Sequence, residues 1–286
     1  MTAEELEAVK RLALTCETAG GQDLKLVLRG SPDETARGQA PGQFLAVAAG
    51  EIMGYVRVDD GQDVEICGMV HPHRRQAGIG TALLDSALQA AAVMGRDTAL
   101  VICEDAAPAA IAWMRRRGGS LDMSELRMVL SLDPAPRAPS AASGPAVALR
   151  RSTPEDRPVL RHLLKEGFPE TDDEVLDRML GSHDTVEQES LIAWDGKRPV
   201  GTMRLLEAPG RAMVYGLVID RALRGQGFGG AAMREALELV RARGTPEVSL
   251  EVLPDNEPAV RLYTRLGFTT VTTYRYMRVA TGRLLG

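Results

Sequence analysis

Apolar residues recur at helical spacing in three places along the chain. Near the start they are Leu6, Val9, Leu12, Ala13 and Cys16; further on Leu83, Leu84, Ala87, Leu88 and Ala91; and later Met233, Ala236, Leu237 and Val240. Each set falls on one face of a helix with 3.6 residues per turn. Thr2 and Glu5 form a capping box for the first helix. Short unbroken apolar runs, "ALVIC" (99–103), "VSLEV" (248–252) and "RAMVYGLVI" (211–219), read as buried strands. "ESLIAWDGKRPVGTMRLLE" alternates about Asp195-Gly196 and predicts a hairpin. "AVALRRST" reads as a strand, and Thr153-Pro154-Glu155-Asp156 starts the helix after it, with proline in the first turn. A final strand pair is expected to close the chain.

These elements repeat. Arg75-x-x-Gly78-x-Gly80 matches Arg224-x-x-Gly227-x-Gly229 at an offset of 149 (224 − 75), each motif between a strand-like run and an amphipathic helix. A further strand and helix follow both, ending at Gly118 or Gly267. The stretch 133–146, "DPAPRAPSAASGPA", has no hydrophobic period and reads as a linker. The expected organisation is therefore a domain at 1–132, the linker, and a second domain at 147–286. The first half opens on a helix and lacks a clear first strand. The pattern predicts an α/β (α+β) class: two tandem domains, each a mixed, mostly antiparallel sheet flanked by helices.

Composition narrows the function. At 44% hydrophobic and 26% charged the chain has the make-up of a globular protein. A formal charge of −5 argues against a general nucleic-acid binder. Cys16, Cys67 and Cys103 are far apart and form no C-x-x-C, so neither a disulfide framework nor a metal site is expected. The capped first helix does not read as a signal peptide, and no run has the length of a membrane span, so a cytoplasmic location without a membrane partner is expected.

"RGQGFGG" (224–230) contains Gly225, Gly227 and Gly230 at the dinucleotide spacing G-x-G-x-x-G. The repeat weakens that reading, because Gln76 and Thr81 stand where the second half has Gly225 and Gly230. A Walker P-loop is absent too, since no Gly-Lys-Ser/Thr occurs here. Arg-x-x-Gly-x-Gly is what the halves share. Glycines at a helix N-terminus let a pyrophosphate approach unpaired backbone N–H groups and the positive end of the helix dipole.

"LVIDRALRGQGFGGAAM" followed by "SLEVLPDNEPAVRLYTRLGF" resembles the two signature segments of the GNAT (Gcn5-related) N-acetyltransferases. The likeness covers essentially all of residues 147–286 and is weaker after the loop of the first half. The tandem arrangement is similar to mycothiol-synthase-like and other bacterial acetyltransferases. The resemblance implies an enzyme that uses acetyl-CoA as acetyl donor, without a metal, and passes the acetyl group to a primary amine on a small molecule or peptide. In the second half it implies CoA contacts from Val218, Ile219, Arg224, Gly225, Gln226, Gly227, Phe228, Gly229, Gly230 and Asn256. In the first half the corresponding positions are Val70, Arg75, Gln76, Ala77, Gly78, Gly80 and Thr81. It makes Tyr263 the acid that faces the departing sulfur. Glu251 is the base it favours, with Glu207 or a water chain as alternatives. The backbone near Val218 and Ile219 is expected to polarise the acetyl carbonyl.

The first half departs from this pattern. At the same offset Tyr263 becomes Met114 (Trp113 with one gap), Glu251 becomes Ile102 and Asn256 becomes Ala107; Glu65 is the one acid in a suitable place. A degenerate half that binds CoA or serves the fold is expected, within a monomer whose halves make a pseudo-dimer. His71-Pro72-His73 reads as loop, and Arg115–Arg117 as a solvated helix end. Glu166, Glu170, Asp172, Asp173 and Glu174 could meet a cationic amine or simply start a helix. The alternative function is a non-catalytic acyl-CoA sensor or scaffold.

Overall fold

The computed structural model describes residues 1–20, 24–25, 42–132, 144–181 and 188–282. Most of the expected linker, 133–143, lies outside the described residues. The chain divides into two compact units, Met1–Leu126 with Thr272–Gly286, and Arg127–Val271.

The first unit contains α1 (Ala3–Gly20), β1 (Gln43–Ala48), β2 (Glu51–Asp60), β3 (Val64–Val70), α2 (Ile79–Val93), β4 (Thr98–Glu104) and α3 (Pro108–Arg116). The capping box forms as expected: Glu5 Oε2 accepts from the Thr2 N–H at 2.6 Å, and Thr2 Oγ1 from the Glu5 N–H at 3.1 Å. Val9, Leu12, Ala13 and Cys16 are the buried face of α1 and pack with Tyr55, Cys67 and Met69. The buried side of α2 packs with Val56, Val58, Ile66 and Val101 in a separate cluster. The two clusters are the two layers of an open sheet.

After the linker come β6 (Ala148–Arg151), α4 (Arg157–Gly167), α5 (Asp173–Gly181), β7 (Gln188–Asp195), β8 (Arg198–Ala208) and β9 (Arg211–Ile219). Then follow α6 (Phe228–Ala242), β10 (Glu247–Val252), α7 (Glu257–Arg265) and β11 (Thr269–Ala280), with β5 (Ser120–Ser131) preceding the linker. The predicted hairpin is β7–β8, with Gly196 at φ 58° in its turn. Thr153 and Asp156 form a capping box that leads into α4, and Arg150 reaches both Asp156 oxygens, at 2.9 and 2.8 Å. Within the first half, no strand equivalent to β6 is present among the described residues.

The end of the chain departs from expectation in two ways. One twelve-residue strand, β11, closes the described chain, where a pair was expected. That strand also enters the first unit: residues 272–280 belong there, and β11 runs antiparallel to β4 from Tyr274↔Glu104 to Ala280↔Thr98. Residues 127–131 of β5 belong to the second unit, where β5 neighbours β10. The strand order is thus β1-β2-β3-β4-β11 in the first unit and β5-β10-β9-β8-β7-β6 in the second. Strand pairing is a long-range choice, so position in the chain did not reveal the exchange. Arg278 ties β11 to its unit through Asp63 at 2.9 Å and Asp122 at 2.6 Å.

Candidate active site and its degenerate counterpart

The two glycine turns share their backbone conformation at Arg75 and Arg224, at Gln76 and Gly225, and at Gly78 and Gly227. Gly78 and Gly227 are the N-cap residues of α2 and α6, at φ 82° and 90°. A side chain is strained at such angles, which accounts for glycine there in both halves. Gly225 is also left-handed, at φ 76°, and Gln76 takes the same conformation at φ 61°. The backbone shape is thus shared even where the residue is not. Each turn opens with a short 3-10 helix capped by a side chain: Asp220 accepts from the Ala222 N–H at 2.9 Å, His71 from the His73 N–H at 3.3 Å. His71 is a cap, and no metal-binding cluster exists among the described residues.

Arginine fastens each turn to the strand before it. Arg224 Nε donates to the Ile219 carbonyl at 3.0 Å, and Arg75 Nε to the Val70 carbonyl at 3.3 Å. Arg224 also donates to the Glu166 carbonyl at the end of α4, at 2.8 Å. Gln226 folds back onto the Ala222 carbonyl at 2.9 Å. These two side chains therefore build the turn. The first helical bonds are Ala231 N–H to Gly227 and Ala82 N–H to Gly78, so the N–H groups of residues 227–230 and 78–81 precede the helical ladder. Phe228 is buried, whereas Ala77 sits on the exposed first-half turn.

Beside each turn two parallel strands part. β9 and β10 pair only at Ala212↔Val248 and Met213↔Ser249, although β9 runs on to Ile219. β3 and β4 pair only at Glu65↔Leu100 and Ile66↔Val101. The second half adds a bulge: on β8, Thr202 pairs with Val218 and Arg204 with Tyr215, so Gly216 and Leu217 together face Met203 alone. Gly216 takes φ 61° there. β2 and β3 pair without a shift. The extra residue explains why the offset is 149 at the turn but 148 at the paired strand residues (213 − 65). The extra residue interrupts the β8 ladder at Gly216 and Leu217.

α7 places the remaining residues. Asn256 caps it, its Oδ1 accepting from the Ala259 N–H at 3.3 Å. Leu262 approaches the glycine turn, 3.4 Å from where a Cβ on Gly229 would lie. The next residue, Tyr263, is 8% exposed, with its ring edge-on to Phe268 at 6.0 Å. Burial pushes its phenol up to about 12. In the first half Met114 fills the place of Tyr263 and is fully buried. The Gly119 N–H bonds its carbonyl as the Phe268 N–H bonds that of Tyr263.

Of the candidate bases, Glu251 lies two residues past the last β9–β10 pair, on the lip of the split. Glu207 is at the far end of β8, pairing with Ala212 and held by Arg243 at 2.7 Å. Gly201 opposes Ile219 at the other end of the same strand, about 20 Å from Glu207 by strand rise. By the same measure Glu251, level with Tyr215, is about 13 Å from Ile219.

The first unit holds a cavity of about 550 Å³ between its parted strands. Val70, Arg75, Gln76, Gly78, Gly80 and Thr81 line it, and it reaches Cys67, Cys103 and Lys25. Burial pushes both of these thiols up to about 12, so they stay protonated. The expected solvated arginines divide: Arg116 lines the cavity, while Arg117 pairs with Asp85 and lies 5.5 Å from the Trp113 ring. Sequence reading passed over the bulge and a second repeat, Gly54-x-x-Arg57 and Gly201-x-x-Arg204, at an offset of 147.

The acetyltransferase (GNAT) family profile matches residues 6–119 and again 157–268. A mycothiol acetyltransferase of Sanguibacter keddieii is 30% identical over 95% of this chain and 92% of its own. One of Actinosynnema mirum is 31% identical over 93% of each. The fold is shared with a GCN5-related N-acetyltransferase from Sphaerobacter thermophilus: TM-score 0.75, 24% identity, 98% of this chain and 94% of that one. It is shared as well with a tandem GNAT protein from the clavulanic acid biosynthesis pathway, at TM-score 0.72, 18% identity and 98% and 96% coverage.

Proposed function

Because this chain belongs to the acetyltransferase (GNAT) family and is an acetyl-CoA-dependent N-acetyltransferase, we propose that transfer takes place in the second half alone. The bulge at Gly216 carries this reading, because the half that has it also has Tyr263 and Glu251, and the half without it has neither. In the proposed step the pyrophosphate of acetyl-CoA rests on the N–H groups of 227–230, and its pantetheine arm runs along Val218 and Ile219 with Asn256 on its other side. A backbone N–H beside the bulge polarises the thioester carbonyl. The acceptor amine attacks the carbonyl carbon, Glu251 takes a proton from the amine, and the C–S bond breaks.

Tyr263 donates a hydrogen bond to the departing thiolate. With its phenol at about 12 it is protonated at any working pH. A thiol titrates near 8.5, so complete proton transfer is uphill by three to four pH units, about 5 kcal/mol. The hydroxyl therefore acts chiefly as a donor to developing charge.

The first-half cavity holds an acyl-CoA that is not turned over, since Met114 cannot donate and Ile102 cannot accept a proton. The acceptor is a small-molecule amine, and the names of the relatives make mycothiol-related amines the first to test. Incubating the full chain with acetyl-CoA and an amine panel, with release of CoA thiol followed by mass, tests the reading. Thiol release coupled to one acetylated amine is expected. Binding of acetyl-CoA without transfer to any amine would replace the enzyme reading with the acyl-CoA sensor.

A further inference from the structure

Each half sets one arginine at the same place on its sheet. Arg57 pairs in register with Cys67, and Arg204 with Tyr215. The acids around them differ. Two residues beyond Arg57 on the same strand is Asp59, which accepts from Arg57 Nε at 2.6 Å. The equivalent of Asp59 in the second half is Leu206, which offers no charge. On the strand across the split the exchange is reversed, with Ile102 in the first half and Glu251 in the second. Each half thus supplies an acid near its arginine, on β2 in one and on β10 in the other.

The register brings Arg204, Tyr215 and Glu251 into one row. Ser249 pairs with Met213, so Glu251 lies level with Tyr215, where the strands have begun to part. Arg204 is level with Tyr215 on its other side. The Cα atoms of Arg204 and Glu251 are two strand spacings apart, about 10 Å, within joint reach of two long side chains. The Arg204 guanidinium already lies 6.0 Å from the centre of the Tyr215 ring, leaning over the middle strand. All three residues are half-buried. A charge in such a setting is screened less than one in open water.

We infer that Arg204 is a positioning residue for Glu251, steadying its carboxylate at the split between β9 and β10 and drawing it toward the attacking amine. Tyr215 is the platform on which the guanidinium rests. The inference rests on the assignment of Glu251 as base and adds the element that orients it. It explains why the first half kept the arginine but needed Asp59 once its fourth strand carried Ile102.

A double-mutant cycle on the full chain tests this, using an accepted amine with kcat and KM measured separately. Glu251→Gln is expected to lower kcat about 100-fold. Arg204→Met, which keeps the aliphatic stem, is expected to lower kcat about tenfold with the KM for acetyl-CoA unchanged. Arg204→Lys restores most of the loss. The double variant is expected to be no slower than Glu251→Gln, because the arginine acts through the carboxylate. An unchanged kcat in Arg204→Met overturns the inference. So does a further tenfold loss when it is added to Glu251→Gln, which would leave Glu251 as the base. Full activity of Glu251→Gln removes the base assignment itself, and the inference with it. Thermal midpoints of the four variants confirm that each is folded.

Discussion

Tyr263→Phe removes one oxygen from a ring that is otherwise packed against Phe268. Among the described residues the hydroxyl has no hydrogen-bond partner, so its loss breaks nothing in the resting fold. Stability should stay within about 0.5 kcal/mol of the parent. The rate should not. A hydrogen bond to a charged group contributes about 1.5–3 kcal/mol, and here the charge exists only while the thiolate departs. That range corresponds to a fall in kcat of about tenfold to 150-fold. Acetyl-CoA affinity should be unchanged, because the turn, Asn256 and the bulge are untouched. Tyr263→Ala separates the two roles of the side chain. It leaves a cavity in a site that is 8% exposed and should cost about 3–5 kcal/mol of stability on top of the same kinetic loss. Steady-state thiol release, calorimetric titration with acetyl-CoA and thermal melts supply the three readouts. A Phe variant with full kcat and unchanged affinity would refute a role for the hydroxyl.

Gly225→Gln should keep acetyl-CoA affinity within a few-fold, because Gln76 already holds that conformation and no atom lies within 4 Å of the added Cβ. Gly227→Ala should weaken binding at least tenfold by calorimetry: its φ is +90°, and the new Cβ would stand 3.2 Å from Pro145. Alkaline pH should destabilise the protein. Burial pushes the thiols of Cys67 and Cys103 and the phenols of Tyr55 and Tyr263 up to about 12. The unfolded chain therefore ionises first, and the stability present below about pH 9 is lost as pH rises toward 12. A thermal midpoint that stays flat from pH 8 to pH 11 would contradict this. Asp156→Asn should cost about 1–3 kcal/mol in a urea melt, since the Arg150 guanidinium holds that carboxyl below the usual range and the same oxygen accepts from the Thr153 N–H at 2.8 Å. In the parent, that contribution fades as pH falls through the depressed carboxylate range.

Local chemistry was legible in the sequence wherever one residue has few alternatives. Thr2 and Glu5, Asp195-Gly196, and the glycines at 78 and 227 each announce a capped helix or a turn, and each forms as read. The helix faces were legible too, because burial follows their period. The bulge at Gly216 was readable in principle, as the single residue by which the offset falls from 149 to 148. It was missed because matching by motif tolerates a gap silently. Gly54-x-x-Arg57 and Gly201-x-x-Arg204 went unremarked because an arginine in a strand looks solvated until its row is known. Glu207 and Glu251 could not be separated along the chain. The register sets Glu207 level with Ala212, beside the hairpin, and Glu251 level with Tyr215, midway along β9.

The exchange of end strands has a consequence for how the protein is made. The second unit is one continuous stretch, Arg127–Val271, so all its parts are synthesised before residue 272. The first unit needs residues 272–280 beside β4, and these follow the whole of the second unit. Until then the edge of β4 presents unpaired backbone N–H and C=O groups, flanked by the apolar side chains of Leu100 and Val101, which is an invitation to pair with another chain. The unit whose translation begins first therefore closes only after the whole second unit has been made.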